Sequence, residues 1–198
     1  KAIANYLSRV GHTIGDNELR SLEELATVFK IDNISNSPSR FDLDQLGFWQ
    51  KKVIESESTE SLLSWLREDL REVLPAEIDQ NGFVDLIREN IIFPKDAIDY
   101  AKNLFVHSLS SDKEVSAIIK GSGSKFFDIA RESVQEHWGD WSKIMKDIGE
   151  KSGNKGKELF MPIRAAITGQ LSGPELDQVT KFLDIERVVR RLEEASRL

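Results

Sequence analysis

A chain of 198 residues can bury one good hydrophobic core or two small ones. It contains no cysteine, which excludes disulfides, thiolate metal sites and a cysteine nucleophile, and is compatible with a reducing compartment. The net charge of −7 argues against a general polyanion binder, but residues 143–198 carry eleven Lys/Arg against nine Asp/Glu, a local balance of +2.

The preceding 142 residues hold sixteen basic and twenty-five acidic residues, or −9. A mixed solvated surface accounts for this count as readily as an RNA-facing one. No apolar run approaches the roughly 20 residues that a bilayer span needs, and no signal peptide opens the chain. Helix-like sequence starts at Lys1, so a piece of a longer protein is expected.

In chain order, AIANYLSRVG spaces Ile3, Tyr6, Leu7 and Val10 as on a helix, with Gly11 as a C-cap. SLEELATVFK opens with the capping box Ser21-x-x-Glu24 and places Leu22, Leu25, Val28 and Phe29 on one face. FDLDQLGFWQKKVIES carries Phe41, Leu43, Leu46, Trp49 and Val53. TESLLSWLREDLREVLP keeps Leu62, Leu63, Leu66, Leu70 and Val73 on a stripe until Pro75. Further helical patterns cover about 81–92, 95–107, 112–120, 124–138, 140–149, 157–168 and 175–196. No stretch alternates apolar and polar residues, so the expected fold class is all-α. Joints are expected at TIGDNELR, ISNSPSR and HSLSSD.

Two glycine-rich stretches, GSGSKFF (121–127) and GEKSGNKGKE (149–158), lack the P-loop spacing and follow no strand. The first reads as a helix–helix turn. The second reads as an exposed loop whose Lys151, Lys155 and Lys157 are either solvated or in contact with an RNA backbone. His12, His107 and His137 form no i, i+4 pair with another ligand, so no metal site is expected. No carboxylate pair stands out as catalytic. Trp49, Trp65, Trp138 and Trp141 lie in helical stripes and suit the core, with base stacking as the alternative for Trp138 or Trp141.

MPIRAAITGQLSGPEL (161–176) is the unusual stretch. A helix stops at Thr168-Gly169, and a second glycine, Gly173, and Pro174 follow before helical sequence resumes at Glu175. Such a break leaves backbone groups unpaired, and glycine permits close approach. Pro174 suits the first position of the next helix. Arg164, one turn earlier, has a planar fork suited to a base edge or phosphate. Residue chemistry alone allows two readings, a pocket for an unstacked RNA base or an ordinary turn with a structural arginine.

LFMPIRAAITGQLSGPELDQVTKFLDIERVVRRLEEA (159–195) resembles the C-terminal signature of bacterial glutamyl-tRNA synthetases. The features that carry it are Pro162, Arg164, Ala165, Ala166, Thr168, Gly169, Gly173, Pro174, Glu186 and Arg187. YLSRVG (6–11), SLEELATVFKIDNISNSPSRFD (21–42) and LGFWQKKVI (46–54) resemble the segment that follows that family's catalytic fold.

The resemblance implies a small, mainly helical tRNA-contacting region over residues 1–57. An all-helical anticodon-binding domain in two parts, 58–108 and 109–198, would follow it. The HIGH-like and KMSKS-like motifs of the catalytic fold have no counterpart here. ATP and Mg2+ would therefore belong to a catalytic domain of the full-length glutamate–tRNA ligase, with no cofactor, metal or catalytic residue in this fragment. The partner implied is tRNA(Glu), bound chiefly at its anticodon loop by a cytoplasmic monomer, with no DNA and no membrane. Carried over by position, Arg164 would bond a base, while Thr168, Gly173 and Pro174 shape the pocket and Leu176 meets a base face. Where Gly173 stands, some members carry threonine, whose contact backbone would replace. Arg88, in LIRENI, matches an arginine that helps read the first anticodon base and separates glutamate from glutamine tRNAs. A ligase that also charges tRNA(Gln), and a helical scaffold without RNA binding, are the alternatives.

Overall fold

The computed structural model describes every residue except Ser110, so one residue of the HSLSSD joint lies outside the described residues. Among the described residues the fold is all-α, with no strand and one isolated bridge between His12 and Ile34. The N-terminal part holds α1 (Ala2–Leu7), α2 (Leu22–Val28) and α3 (Leu43–Ser56). A second group comprises α4 (Thr59–Leu70), α5 (Gln80–Ile87) and α6 (Pro94–Phe105). The rest is α7 (Lys113–Ser122), α8 (Ser124–His137), α9 (Trp141–Ser152), α10 (Lys157–Thr168), α11 (Leu176–Phe182) and α12 (Ile185–Ser196).

Short polar side chains start most of these helices by bonding otherwise unpaired N–H groups. Ser21 and Glu24 form the expected reciprocal capping box, at 3.2 and 2.7 Å. Asp42, Ser58, Asp79, Asp112, Asp140 and Asp184 cap α3, α4, α5, α7, α9 and α12 in the same way. The cap at Asp184 corrects one expectation. The pattern over 175–196 is two helices, because Asp184 accepts from the Arg187 amide at 2.6 Å while extended Leu183 turns into the core. The first helix is also shorter than its apolar spacing suggests. Residues 8–10 continue as tight turns, and Ile3 and Leu7 are exposed.

Two apolar clusters result. A small one joins Ala2 and Tyr6 of α1 to Trp49 of α3, with Arg9 stacked 4.1 Å above the indole. Buried Asn5 acts there like a strand edge. Its amide donates to the Arg20 carbonyl at 2.8 Å and its oxygen accepts the Arg20 N–H at 2.9 Å. The large cluster begins at Ile54 and runs unbroken from α4 to α12, across the joint at 107–112. In it α8 packs between α9 and α12, α7 lies on α10, and α5 meets both α4 and α11. Trp65 departs from the core role expected of it and is 39% exposed.

Arg191 ties the two helical groups together. It is only 6% exposed, yet its guanidinium donates to the carbonyls of Asn103 and, at 2.9 Å, His107. These groups lie at the C-terminal end of α6, where a cation complements unpaired carbonyls. Neighbouring Glu194 accepts the Leu109 N–H at 2.7 Å. Arg191→Met keeps the aliphatic stem and deletes the donors. It should lower stability by about 2–3 kcal/mol, because two carbonyls lose their partner inside the fold. The midpoint of urea unfolding measures this, and an unchanged midpoint would remove Arg191 from the role of clamp.

Candidate anticodon-recognition site

Helix α10 contains Pro162, which has no N–H to give the Glu158 carbonyl. That carbonyl instead faces the Asn154 amide at 3.4 Å, a weak substitute. The helix stops at Gly169 in the left-handed conformation (φ 65°), whose N–H caps the Ala165 carbonyl at 3.0 Å. Buried Thr168 closes the last turn. Its hydroxyl donates to the Arg164 carbonyl at 2.7 Å and accepts from the Gln170 N–H at 3.1 Å. Thr168 therefore shapes the turn from inside it.

The sequence brings Arg164 back to the far side of the same turn. Its Nη1 donates to the Pro174 carbonyl at 3.0 Å, so the arginine and the break are one unit. Among the described residues no carboxylate lies within 4.0 Å of Arg164, and its other nitrogens have no acceptor there. Pro174 is buried and, contrary to the expectation, is not the first residue of α11, because Glu175 is the N-cap and Leu176 starts the helix. Gly173 (φ 137°) adopts backbone that only glycine takes readily, and Leu176 is 5% exposed.

Beside this turn lies an open groove of about 1010 Å³ between the start of α9, α10 and the segment 175–183. Arg164, Phe160, Trp138, Trp141, Leu176 and Lys181 are among its lining residues. Phe160 is 49% exposed and escaped the sequence reading. Its signal was there, since it falls outside the buried stripe Leu159–Ile163–Ala166 of its own helix. Partly buried aromatic faces at a wet groove are suited to stacking on bases.

The other expected residues fall elsewhere. Arg88 lies in the 3-10 turn Arg88–Asn90 and has its donors on the Glu57 carbonyl (3.0 Å), Thr59 Oγ1 (2.9 Å) and Asp85 Oδ1 (2.9 Å). It holds the end of α3 to α4 and α5. Lys151 is not in a loop, because α9 extends to Ser152 and only 153–156 separate it from α10. Its ammonium is 2.6 Å from Asp147 and 3.5 Å from Glu136. Lys155 and Lys157 are exposed, and among the described residues neither has a carboxylate within 4.0 Å.

Glu136, His137 and Asp147 converge as ligand types that spacing in sequence did not bring together. The Lys151 ammonium already provides the positive charge there, and buried Ser133 donates to Asp147 at 2.6 Å. Both bonds, that from Lys151 first, hold the Asp147 pKa below its ordinary value. The stabilisation is thus fully present above the ordinary aspartate value of about 3.9 and is lost as pH falls through the lowered folded value. Asp147→Asn should flatten the acid side of the Tm–pH profile below about pH 4. Parallel profiles for the two proteins would contradict this.

Residues 57–196 match the family model described as "Anticodon binding domain", and the chain belongs to that family. It is 37% identical over 194 residues to "Glutamate--tRNA ligase 1" of Methylococcus capsulatus, covering 98% of this chain and 41% of the relative. It is 38% identical over 198 residues to the Halorhodospira halophila protein of the same name, covering 100% of this chain and 41% of the relative. The chain thus spans about two fifths of the length of these relatives. The solved glutamate-tRNA synthetase from Elizabethkingia anophelis superposes with a TM-score of 0.77 at 20% identity, over 100% of this chain and 40% of that one. That likeness concerns the fold.

Gly173→Ala provides a test of the turn. A Cβ there would lie 2.9 Å from the Tyr100 hydroxyl oxygen, on backbone that already disfavours L-residues. The variant should lose about 1–3 kcal/mol of stability by thermal or urea unfolding. A neutral result would mean that the turn relaxes freely.

Proposed function

We propose that this chain is the tRNA-reading part of a glutamate–tRNA ligase, with the groove at Arg164 receiving unstacked anticodon bases. The observation that carries the proposal is Arg164 itself. One guanidinium nitrogen shapes the 169–175 turn through the Pro174 carbonyl, while the remaining donors have no protein acceptor among the described residues. Membership of the anticodon-binding family and glutamate–tRNA ligase relatives at 37 and 38% identity support the same reading.

In this reading Arg164 donates to a base edge, Leu176 and the groove aromatics meet base faces, and Gly173 and Pro174 set the width of the pocket. Thr168 and Arg88 act as supports, given their internal bonds. Residues 1–57 meet the tRNA outside the loop, and the two helical parts 58–108 and 109–198 carry recognition. Lys155 and Lys157 bind phosphate, whereas Lys151 is neutralised by Asp147 and Glu136. ATP, Mg2+ and glutamate ligation belong to a catalytic part outside these 198 residues. The partner is tRNA(Glu), bound by a monomer in the cytoplasm. Among the described residues no helix is long and apolar enough to cross a membrane.

Titration of the chain with a glutamate-tRNA anticodon stem-loop, beside one with the middle base changed, tests this reading. Arg164→Ala should weaken the cognate complex by about 1–3 kcal/mol, the range for a good base contact, and reduce discrimination. Equal binding of both loops by the unmodified chain would reject base reading. Charge reversal at Lys155 and Lys157 should weaken both complexes alike. It should lower the slope of log K against log salt by about one for each phosphate no longer neutralised. An unaltered slope would exclude both lysines from binding the RNA backbone.

A further inference from the structure

The last turn of α8 faces the middle of α9 across the short connection at 138–140. It brings together one oxygen each of Glu136 and Asp147 and a ring nitrogen of His137, all within 4.8 Å of one another. His137 Nε2 lies 3.6 Å from Glu136 and 4.0 Å from Asp147. The His137 side chain is only 10% exposed, and its imidazole makes no hydrogen bond among the described residues. A nearly buried ring nitrogen thus points at two carboxylates from beyond hydrogen-bond distance. Ligand atoms around a tetrahedral Zn2+ ion, at bonds of about 2.1 Å, stand roughly 3.4 Å apart. The observed separations approach that spacing, and the exposed Glu136 side chain has room to close the remainder. Asp147 is already held from its other side, because buried Ser133 donates to it at 2.6 Å. Such a bond is the usual support of a metal-ligating carboxylate.

We propose that Glu136, His137 and Asp147 form a binding site for a transition-metal ion of the Zn2+ class, which takes the carboxylates from Lys151 and joins α8 to α9. The inference is independent of RNA binding. The donor set decides the class of ion. Carboxylates alone suit Mg2+ or Ca2+, whereas an imidazole nitrogen beside them selects a borderline ion such as Zn2+. Water completes the coordination at the open rim, as in other sites with three protein ligands. Lys151, 2.6 Å from Asp147 and 3.5 Å from Glu136, engages the two carboxylates only. A metal ion engages all three groups and gives the imidazole the bond it lacks.

The experiment titrates Zn2+ into the 198-residue chain by calorimetry at neutral pH, without purification tag or chelator. NMR follows the imidazole signals of its three histidines. One ion should bind, the His137 signals alone should shift, and Tm should rise with Zn2+ concentration. His137→Gln should weaken binding by more than about tenfold, the smallest loss expected even for a supporting group at a metal site. Lys151→Met should tighten it about two- to fivefold, because a competing exposed ion pair is removed. His107→Gln, which deletes an exposed imidazole, should change nothing. Equal affinity in His137→Gln and the unmodified chain would overturn the proposal, as would shifts at His12 or His107 in place of His137. Binding confined to Lys151→Met would overturn it too, since the lysine would then hold the site against metal. Unaltered affinity in Lys151→Met would refute the exchange with the lysine. No binding in any variant would leave His137 as an ion-pair partner of the two carboxylates and end the proposal. NMR reads the unmodified chain, so a variant that fails to fold leaves the test intact.

Discussion

The structure around the candidate site depends on one buried cation. Arg191 of α12 bonds the carbonyls of Asn103 and His107, which fixes the end of α6 against the C-terminal helices. Burial works against its charge, but a helix C-terminus offers unpaired carbonyls where a guanidinium replaces its lost water. The consequence is positional. A Cβ on Gly169 would sit 3.5 Å from the Asn103 carbonyl, and one on Gly173 would strike Tyr100 one turn earlier on α6. Gly173 is thus glycine partly because α6 is held so close, whereas at Gly169 the left-handed φ of 65° is the constraint and Asn103 lies at ordinary contact distance.

The break at 169–175 has a corresponding economy. Thr168, the Gly169 amide and the Gln170 amide satisfy groups that the end of α10 would otherwise leave bare. Arg164 then crosses to Pro174, so a charged side chain is placed by a backbone carbonyl and not by a carboxylate. A carboxylate partner would have compensated the charge, and a carbonyl does not. That difference separates Arg164 from Lys151, whose ammonium is matched by Asp147 and Glu136. Net charge over 143–198 is a poor guide to this, because the count treats both cations alike.

Much of the helical order was legible from residue spacing. Ser21 and Glu24 form the box that their spacing predicts, and Gly123 separates α7 from α8 where a turn was expected. The misses share a cause. The apolar stripe of 175–196 continues through Leu183 and Ile185, so only the Asp184 side chain marks the break. The stripes of the first helices include Ile3, Leu7, Leu22 and Phe41, all exposed, because α1 and α3 enclose only a small cluster about Trp49 to which α2 adds no residue. Periodicity identifies a helical face and is silent on what covers it.

At the site, the residues Arg164, Gly173, Pro174 and Leu176 were legible as a contiguous stretch, since turn chemistry is local. Tyr100 and Phe160 were not. Tyr100 lies 73 positions before Gly173 in the chain, and Phe160 was hidden beside a regular helical stripe. Arg88 and Lys151 were recognisable as cations but not as bonded ones. The sequence by itself determined an all-α chain with a strained, glycine-dependent turn one helical turn after an arginine, because caps, periods and φ preferences act within a few residues. Only the tertiary structure decided which cations stay uncompensated and which distant side chain faces the turn, because those depend on how α6, α10 and α12 pack.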